Sequence, residues 1–368
     1  MIPKALFEET LLGFLAPVRP YLERDGITEI MINGPTEIYI ESKGRLELTD
    51  ARFESREALM SALRNLAQYV GRPFDEERPI LEARLPDGSR VEAVMTPAAT
   101  DGPCVAIRRF SRKPLTPERL VELGSLTPDA LLLLSGLVLA KQNILVAGGT
   151  NSGKTSLLNA VSSFVPADER ILVIEDAREL ALQQPHVVNL EAQPGDHKGR
   201  GRITIRELFR ASLRLRPDRI VVGEVRGGEA LDLVQAMTSG HGGCLSTLHA
   251  SHPIDALGRL ETMALMSDVS LPLRALRSQI ASAVNFIVQV ARDRDGSRAV
   301  TEVSEVVGHD ESRGYRLADI LVRRYEPDDA DGSLRPVLRA TGAVPRCHIQ
   351  MRALGVEMPR SILAAAEP

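Results

Sequence analysis

Leu59, Leu63, Leu66 and Val70 recur at offsets of four, seven and eleven, which puts them on one stripe of a helix, and Ser55 stands where such a helix would be capped. The stripe reads as core. On either side the pattern shifts to short β-prone runs. Residues 28–32 and 37–41 flank Asn33-Gly34-Pro35, a strong turn signal, and predict a hairpin. Residues 81–85 and 90–95 flank Pro86-Asp87-Gly88 and predict a second, followed by a strand over 105–110. Residues 1–110 thus read as a small α+β domain. Residues 111–117, with two prolines and little apolar content, read as a linker.

From residue 118 onward helices alternate with short runs rich in Val, Ile and Leu at 144–147, 171–174, 220–222 and 244–247. This alternation predicts an α/β domain, residues 118–368, with a mainly parallel sheet covered on both faces. Each run stops at residues suited to polar chemistry: a glycine loop, Glu175-Asp176, Gly223-Glu224, and a segment ending near His249. Ligands of open α/β sheets bind outside the carboxyl ends of the strands, so these terminators are expected to converge on one crevice. Residues 130–140 are apolar enough for a buried helix but fall well short of the roughly 20 needed to span a bilayer. Near the C-terminus, 287–291 and 300–307 predict a further strand pair and 328–333 an exposed turn, with a short tail domain or subdomain beyond.

Composition adds mainly exclusions. The 368 residues are 43% hydrophobic and 26% charged, ordinary for a globular chain of two domains, and 45 Lys plus Arg against 49 Asp plus Glu leave a formal charge of −4. No global basic excess advertises nucleic acid. Cys104, Cys244 and Cys347 lie far apart, and three cysteines supply neither a four-cysteine zinc site nor a paired disulfide framework. The usage fits a reducing compartment. With no export signal at the start, the chain is expected in the cytoplasm.

Gly148-Gly149-Thr150-Asn151-Ser152-Gly153-Lys154-Thr155 fits the P-loop pattern in full, after a buried strand and before a helix predicted over 154–164 that begins with Ser156 in its first turn. Glycines let backbone N–H groups face phosphate oxygens, and the helix N-terminus adds a positive dipole end there. Lys154 would hold the β and γ phosphates and Thr155 would offer its hydroxyl oxygen to Mg²⁺. Hydrolysis further needs a carboxylate to support the metal and another to orient or deprotonate water; Glu175, Asp176 and Glu224 are the candidates. Asp218 precedes its strand and belongs at the far end of the sheet. His241 and His249 stand eight apart without further ligands in register, so zinc is not expected, and His249 at a strand end could hydrogen-bond phosphate or water. Arg206, Arg210 and Arg214 recur every four residues after a Thr204-x-x-Glu207 capping box, in a segment (197–219) rich in basic residues. Phe209 is the one aromatic among them, too few to make a stacking surface, which favours a subunit contact or a solvated face over nucleic acid.

Taken together, the P-loop, the segments 171–176 and 216–227 and Thr247-Leu248-His249-Ala250 resemble, in order, the Walker A, Asp box, atypical Walker B and His box of the secretion ATPase superfamily. The segments 30–35, 84–90 and 271–283 are similar to stretches of its CpaF/TadA-type branch, which drives Tad pili. The resemblance implies a RecA-like ATPase domain behind the N-terminal domain and linker, assembled as a homohexamer that hydrolyses ATP with Mg²⁺ under inner-membrane pilus platform proteins. It further implies Glu175 as general base, Glu224 as support for metal or water, and His249 as γ-phosphate sensor. Arginines of the N-terminal domain would reach the phosphates, and Arg84, Arg90, Arg108 and Arg109 lie in the matching region. The resemblance leads to a cytoplasmic motor at the inner membrane that extends, and in some settings retracts, a Tad or type IV pilus. A conjugation or type IV secretion traffic ATPase would share every one of these residues. A DNA-stimulated RecA-like motor and a nucleotide-binding scaffold without turnover are the remaining alternatives.

Overall fold

The computed structural model describes residues 4–42, 44–110, 115–195, 200–269, 271–327 and 334–366, so part of the expected linker, His197 and the expected turn at 328–333 lie outside the described residues. The chain divides into two compact units, Met1–Arg112 with Gly195–Gly201, and Lys113–Pro194 with Arg202–Pro368.

The first unit runs α1 (Lys4–Phe14), α2 (Arg19–Glu23), β1 (Ile27–Asn33), β2 (Glu37–Ser42), β3 (Arg45–Leu48), α3 (Arg56–Tyr69), β4 (Ile80–Arg84), β5 (Arg90–Val94) and β6 (Cys104–Arg108). Both hairpins form where the turn residues predict them, and the six strands make one antiparallel sheet in the order β3-β2-β1-β6-β5-β4. Ser55 caps α3 by accepting from the Ala58 N–H, and Leu59, Leu63 and Leu66 pack with Ile30, Ile32, Ile38, Ile40, Val91 and Ile107 from alternate strand positions. The period-2 pattern therefore turns one face of the sheet onto the helix.

The second unit opens with α4 (Pro117–Glu122), α5 (Pro128–Leu139), β7 (Ile144–Gly148), α6 (Lys154–Ser162) and β8 (Ile171–Glu175). It continues through β9 (Val187–Glu191), the short pair β10 (Gln193–Pro194) and β11 (Arg202–Ile203), α7 (Ile205–Ser212), β12 (Arg219–Val222), α8 (Glu229–Thr238) and β13 (Leu245–His249). It ends with α9 (Pro253–Leu265), α10 (Leu273–Ala283), β14 (Phe286–Arg292), β15 (Arg298–Asp310), β16 (Gly314–Pro327), β17 (Leu334–Ala340), α11 (His348–Ala353) and α12 (Arg360–Ala366).

Its nine-stranded sheet has the order β17-β16-β15-β14-β7-β13-β12-β8-β9. The strands from β14 to β9 pair in parallel, and β15, β16 and β17 extend the β14 edge in antiparallel fashion. All five residues of β7 are buried, Ile144 and Val146 entering one core and Leu145 and Ala147 the other, because period 2 sends neighbours to opposite faces. The fold is thus α/β, an antiparallel-sheet domain followed by a mixed, mainly parallel one. The sequence pattern anticipates the strand pair at β14 and β15 but not β16 and β17. Fully buried Met351 and Ile362 from the tail helices join the first of the two cores.

The basic stripe behaves differently from expectation. Thr204 and Glu207 form their reciprocal capping box, yet α7 stops at Ser212, before Arg214. Arg206 and Arg210 turn inward to the chain itself: their Nε groups meet the two oxygens of Asp232 in α8 at 2.8 and 3.0 Å, and Arg206 also reaches Asp268 at 2.8 Å. Asp232 is buried, so this side of α7 is a helix-to-helix clamp. Asp218 lies at the far end of the sheet, as expected, and accepts the Arg170 N–H at 2.9 Å.

Candidate functional site

Four parallel strands end on one rim, and β7 supplies its centre. A Cβ on Gly148, the last β7 residue, would sit 2.5 Å from both Ser152 Oγ and the Val290 carbonyl oxygen, so the loop closes onto the strand only with glycine there. Ser152 Oγ donates to Gly149 O at 2.8 Å, and Asn151 holds a positive φ of 56° at the loop tip. Lys154 opens α6 with its side chain almost fully buried. Its Nζ donates to Gly148 O at 3.1 Å and Gly149 O at 2.7 Å, which draws the ammonium back across the mouth of the loop. Arg298 of β15 braces the tip from the side, its Nε donating to Asn151 O at 2.8 Å.

The strands beside β7 bring the acids and the histidine. His249, paired with Gly148 across β13 and β7, accepts at Nδ1 from Lys154 Nζ at 3.3 Å. Its Nε2 lies 2.8 Å from Glu224 Oε1 without hydrogen-bond alignment, so that buried oxygen has no hydrogen-bond partner among the described residues. Burial and the neighbouring Lys154 charge push the His249 pKa below its ordinary value, against the pull of Glu224. Glu224 Oε2 accepts from Arg226 at 2.5 Å.

Glu175 ends β8 and is buried. Its Oε1 accepts the Glu179 and Leu180 N–H groups at 2.9 Å each, and burial outweighs those two bonds, raising its pKa to about 7. A Cβ on Gly223 would stand 2.8 Å from Glu175 Cγ, so the glycine after β12 makes room for this carboxylate. Thr155 Oγ1 donates to Glu179 Oε2 at 3.3 Å. Two sets of contacts therefore start from adjacent residues, one joining Lys154 to His249 and Glu224, the other joining Thr155 through Glu179 to Glu175.

A profile of the family described as Type II/IV secretion system protein matches residues 14–317. The chain belongs to this family. Among its relatives, a putative conjugal transfer protein of Mycobacterium tuberculosis (strain H37Rv) is 37% identical over 331 residues, covering 88% of this chain and 92% of that protein. The type IV secretion system protein PtlH of Bordetella pertussis is 36% identical over 318 residues, covering 79% and 93%. The solved structure of the Legionella pneumophila ATPase DotB superposes with a TM-score of 0.56 at 20% identity over 82% of each chain, a likeness of fold. Membership in the secretion family implies ATP hydrolysis.

Within this secretion-family fold the other anticipated site residues separate. Asp176 is exposed, its Oδ2 3.9 Å from Arg226 NH1. Gly149, Thr150, Asn151, Ser152, Gly153, Thr155 and Ser156 form the loop and first helical turn next to Lys154. In the first unit, Arg84, Arg90 and Arg108 are successive cross-strand partners on one face of the sheet. Arg109 is tied elsewhere, donating to the carbonyl oxygens of Arg24 and, at 3.2 Å, Ile27. Two residues escaped the sequence reading, Glu179 and Arg298. Glu179 carried a usable signal, lying four residues past Glu175 in the same strand-end segment; Arg298 carried none, since only tertiary folding brings it to Asn151.

A divalent cation is tested by the donor set. Thr155 Oγ1, the unsatisfied Glu224 Oε1 and the carboxylate of Glu179 are hard oxygen donors, the kind Mg²⁺ takes beside a nucleotide's phosphates, and they fit.

Proposed function

We propose that this chain is a motor subunit that hydrolyses ATP to drive a conjugal-transfer or type IV secretion apparatus, working as a homohexameric ring on the cytoplasmic side of the inner membrane. One observation carries the catalytic part: acids and a histidine from three separate strand ends reach the adjacent Lys154 and Thr155, His249 and Glu224 on the lysine side and Glu179 and Glu175 on the threonine side. The relatives' names support the choice of apparatus. No helix among the described residues is long and apolar enough to cross a membrane, so force would pass to a membrane partner by contact.

In this reading the loop carbonyls hold Lys154 until phosphates draw its ammonium away from Gly148 and Gly149. That move frees His249 Nδ1 to sense the γ-phosphate. Glu175 serves as base; a carboxyl with a pKa of about 7 is ionised often enough at neutral pH and basic enough to take a proton from water. Mg²⁺, held by Thr155 and Glu224 with Asp176 or Glu179 near the outer rim, would neutralise charge on the phosphates. The Arg84, Arg90 and Arg108 row adds positive charge from the N-terminal unit, and Arg109 is the weaker candidate because its guanidinium already serves two carbonyls. Pairing of Arg206 and Arg210 with Asp232 gives these arginines a role within the chain, although the Arg210 side chain is still 58% exposed.

The test is Glu175→Gln, which keeps the shape and both accepted N–H bonds. Turnover is expected to fall at least 100-fold with ATP binding within a factor of about three. Unchanged phosphate release would leave a nucleotide-binding scaffold instead. A Tad pilus motor is the second reading, favoured by the resemblance of the segments 30–35, 84–90 and 271–283. Deleting the gene in its host separates the two, since loss of surface pili with transfer intact would select the pilus motor.

A further inference from the structure

Gln289 is a buried amide with aliphatic cross-strand neighbours on one side and Glu302 of β15 on the other. It sits on β14 opposite Ala147 of β7, which in turn faces Leu248 of β13, and the residue two before it on the same face, Ile287, belongs to the second core. At 4% exposure, burial of its amide is unfavourable unless the hydrogen bonds it makes repay the lost hydration. They lead to one place. Gln289 Nε2 donates to Ala250 O at 3.0 Å and to Ser251 O at 3.1 Å, the two carbonyls that follow His249. Both amide hydrogens are spent on that loop, and Oε1 is buried with no hydrogen-bond partner among the described residues.

An apolar side chain would fill the position without an orphaned acceptor, so packing alone does not account for the glutamine. Downstream of Ser251 the chain turns into α9, whose N-cap residue His252 makes no side-chain cap bond. Upstream stands His249, within 3.3 Å of Lys154 Nζ and 2.8 Å of Glu224 Oε1. We propose that Gln289 is a positioning residue that clamps the Ala250–Ser251 backbone to β14 and so fixes where the His249 imidazole sits between Lys154 and Glu224. β14 is also the strand from which the antiparallel extension β15–β17 grows. Through the clamp, displacement of that extension would reach the phosphate side of the site, and a shift of His249 would reach the extension. The idea deepens the proposed function and rests on it only for the effect on turnover; the clamp itself is read separately.

Gln289→Leu keeps the volume and removes both donors; Gln289→Met keeps the length and offers no donor. Each is made in the full chain, checked by thermal melting, and followed by NMR of ¹³C-labelled histidine, with the His249 signal assigned by its absence in His249→Ala. The His249 Cε1–H resonance is expected to move in both variants, kcat to fall about tenfold, and KM for ATP to stay within about twofold. In the His249→Ala background, Gln289→Leu should lower kcat less than twofold, because a clamp acting through His249 has nothing left to position. A His249 resonance unmoved in a folded variant overturns the proposal, as does a full tenfold loss on top of His249→Ala. A moved resonance alongside undiminished turnover of His249→Ala would uphold the clamp and sink the γ-phosphate sensing role instead. Two variants keep the test answerable where one does not fold.

Discussion

Glu175 carries its charge where water cannot stabilise it. Its side chain is buried at the end of β8, and two backbone N–H groups on Oε1 only partly offset the desolvation, which holds the pKa near 7 instead of the usual carboxylate range. The unfolded chain ionises this group near 4.5, so the folded state binds the proton more tightly. Its contribution to stability is complete below the unfolded value and is lost as pH rises through about 7, amounting to at most about 3 kcal/mol. Glu175→Gln abolishes that loss. The melting temperature of the nucleotide-free variant minus that of the wild type should therefore grow from pH 5 to pH 8; a flat difference would mean that the carboxylate is not held in this environment. Catalysis runs the other way, since the base must be ionised, and wild-type turnover should climb with pH across the same interval. The residue proposed as the base is thus one whose charged form the fold tolerates poorly.

Asp232 shows how far one buried carboxylate can organise two helices. It lies in α8 with its side chain 10% exposed, and both of its oxygens receive guanidinium groups from α7. Removing it by Asp232→Ala leaves Arg206, itself only 17% exposed, with no partner but Asp268, and should cost about 2 kcal/mol, read as a lower midpoint in denaturant. Asp268→Ala should barely shift the midpoint, because that side chain is 95% exposed and its pair is screened. Equal losses from the two variants would contradict the clamp. The same helix marks the limit of what its sequence discloses. Thr204-x-x-Glu207 locates its start, since capping chemistry is local, and the four-residue recurrence correctly puts Arg206 and Arg210 on one side. Their partner lies on another helix 22 positions beyond Arg210, and no periodicity reports that distance. Local rules likewise made both hairpins of the first unit legible through Asn33-Gly34-Pro35 and Pro86-Asp87-Gly88, and buried runs ending in polar residues made four strands of the parallel sheet legible. β16 and β17 stayed hidden because arginines interrupt their apolar positions: Arg323 is satisfied by Asp293, and Arg339 of β17 by Glu326 of β16. At the site, the P-loop and the acids at strand ends could be read directly, whereas Arg298 and Gln289 act through contacts that only the folded sheet creates.

At the scale of the whole molecule the question is what the N-terminal unit contributes to a motor. Its sheet carries a graded row of charge: Arg84, Arg90 and Arg108 from β4, β5 and β6, then Glu29 and Glu41 from β1 and β2, each the cross-strand partner of the next. Cross-strand pairing spaces the backbones of the three arginines about 5 Å apart on adjacent strands. At the acidic end, burial and the neighbouring Glu41 raise the Glu29 pKa, with Arg108 pulling it down. Such a row concentrates positive charge that an anion could complement during the working cycle, which is the role proposed for it. Arg109, next in sequence, is the internal control, since its guanidinium secures the turn between α2 and β1 through the carbonyls of Arg24 and Ile27. The four arginines should consequently divide by phenotype. Replacing Arg84, Arg90 or Arg108 with Ala should lower kcat by about tenfold or more for the residues that meet phosphate, with turnover per folded molecule as the readout. Arg109→Ala should instead lower the melting temperature by several degrees and leave turnover per folded molecule near wild type. Full turnover in all three row variants would show that the N-terminal unit adds no charge to the reaction, and that its part in the motor is mechanical alone.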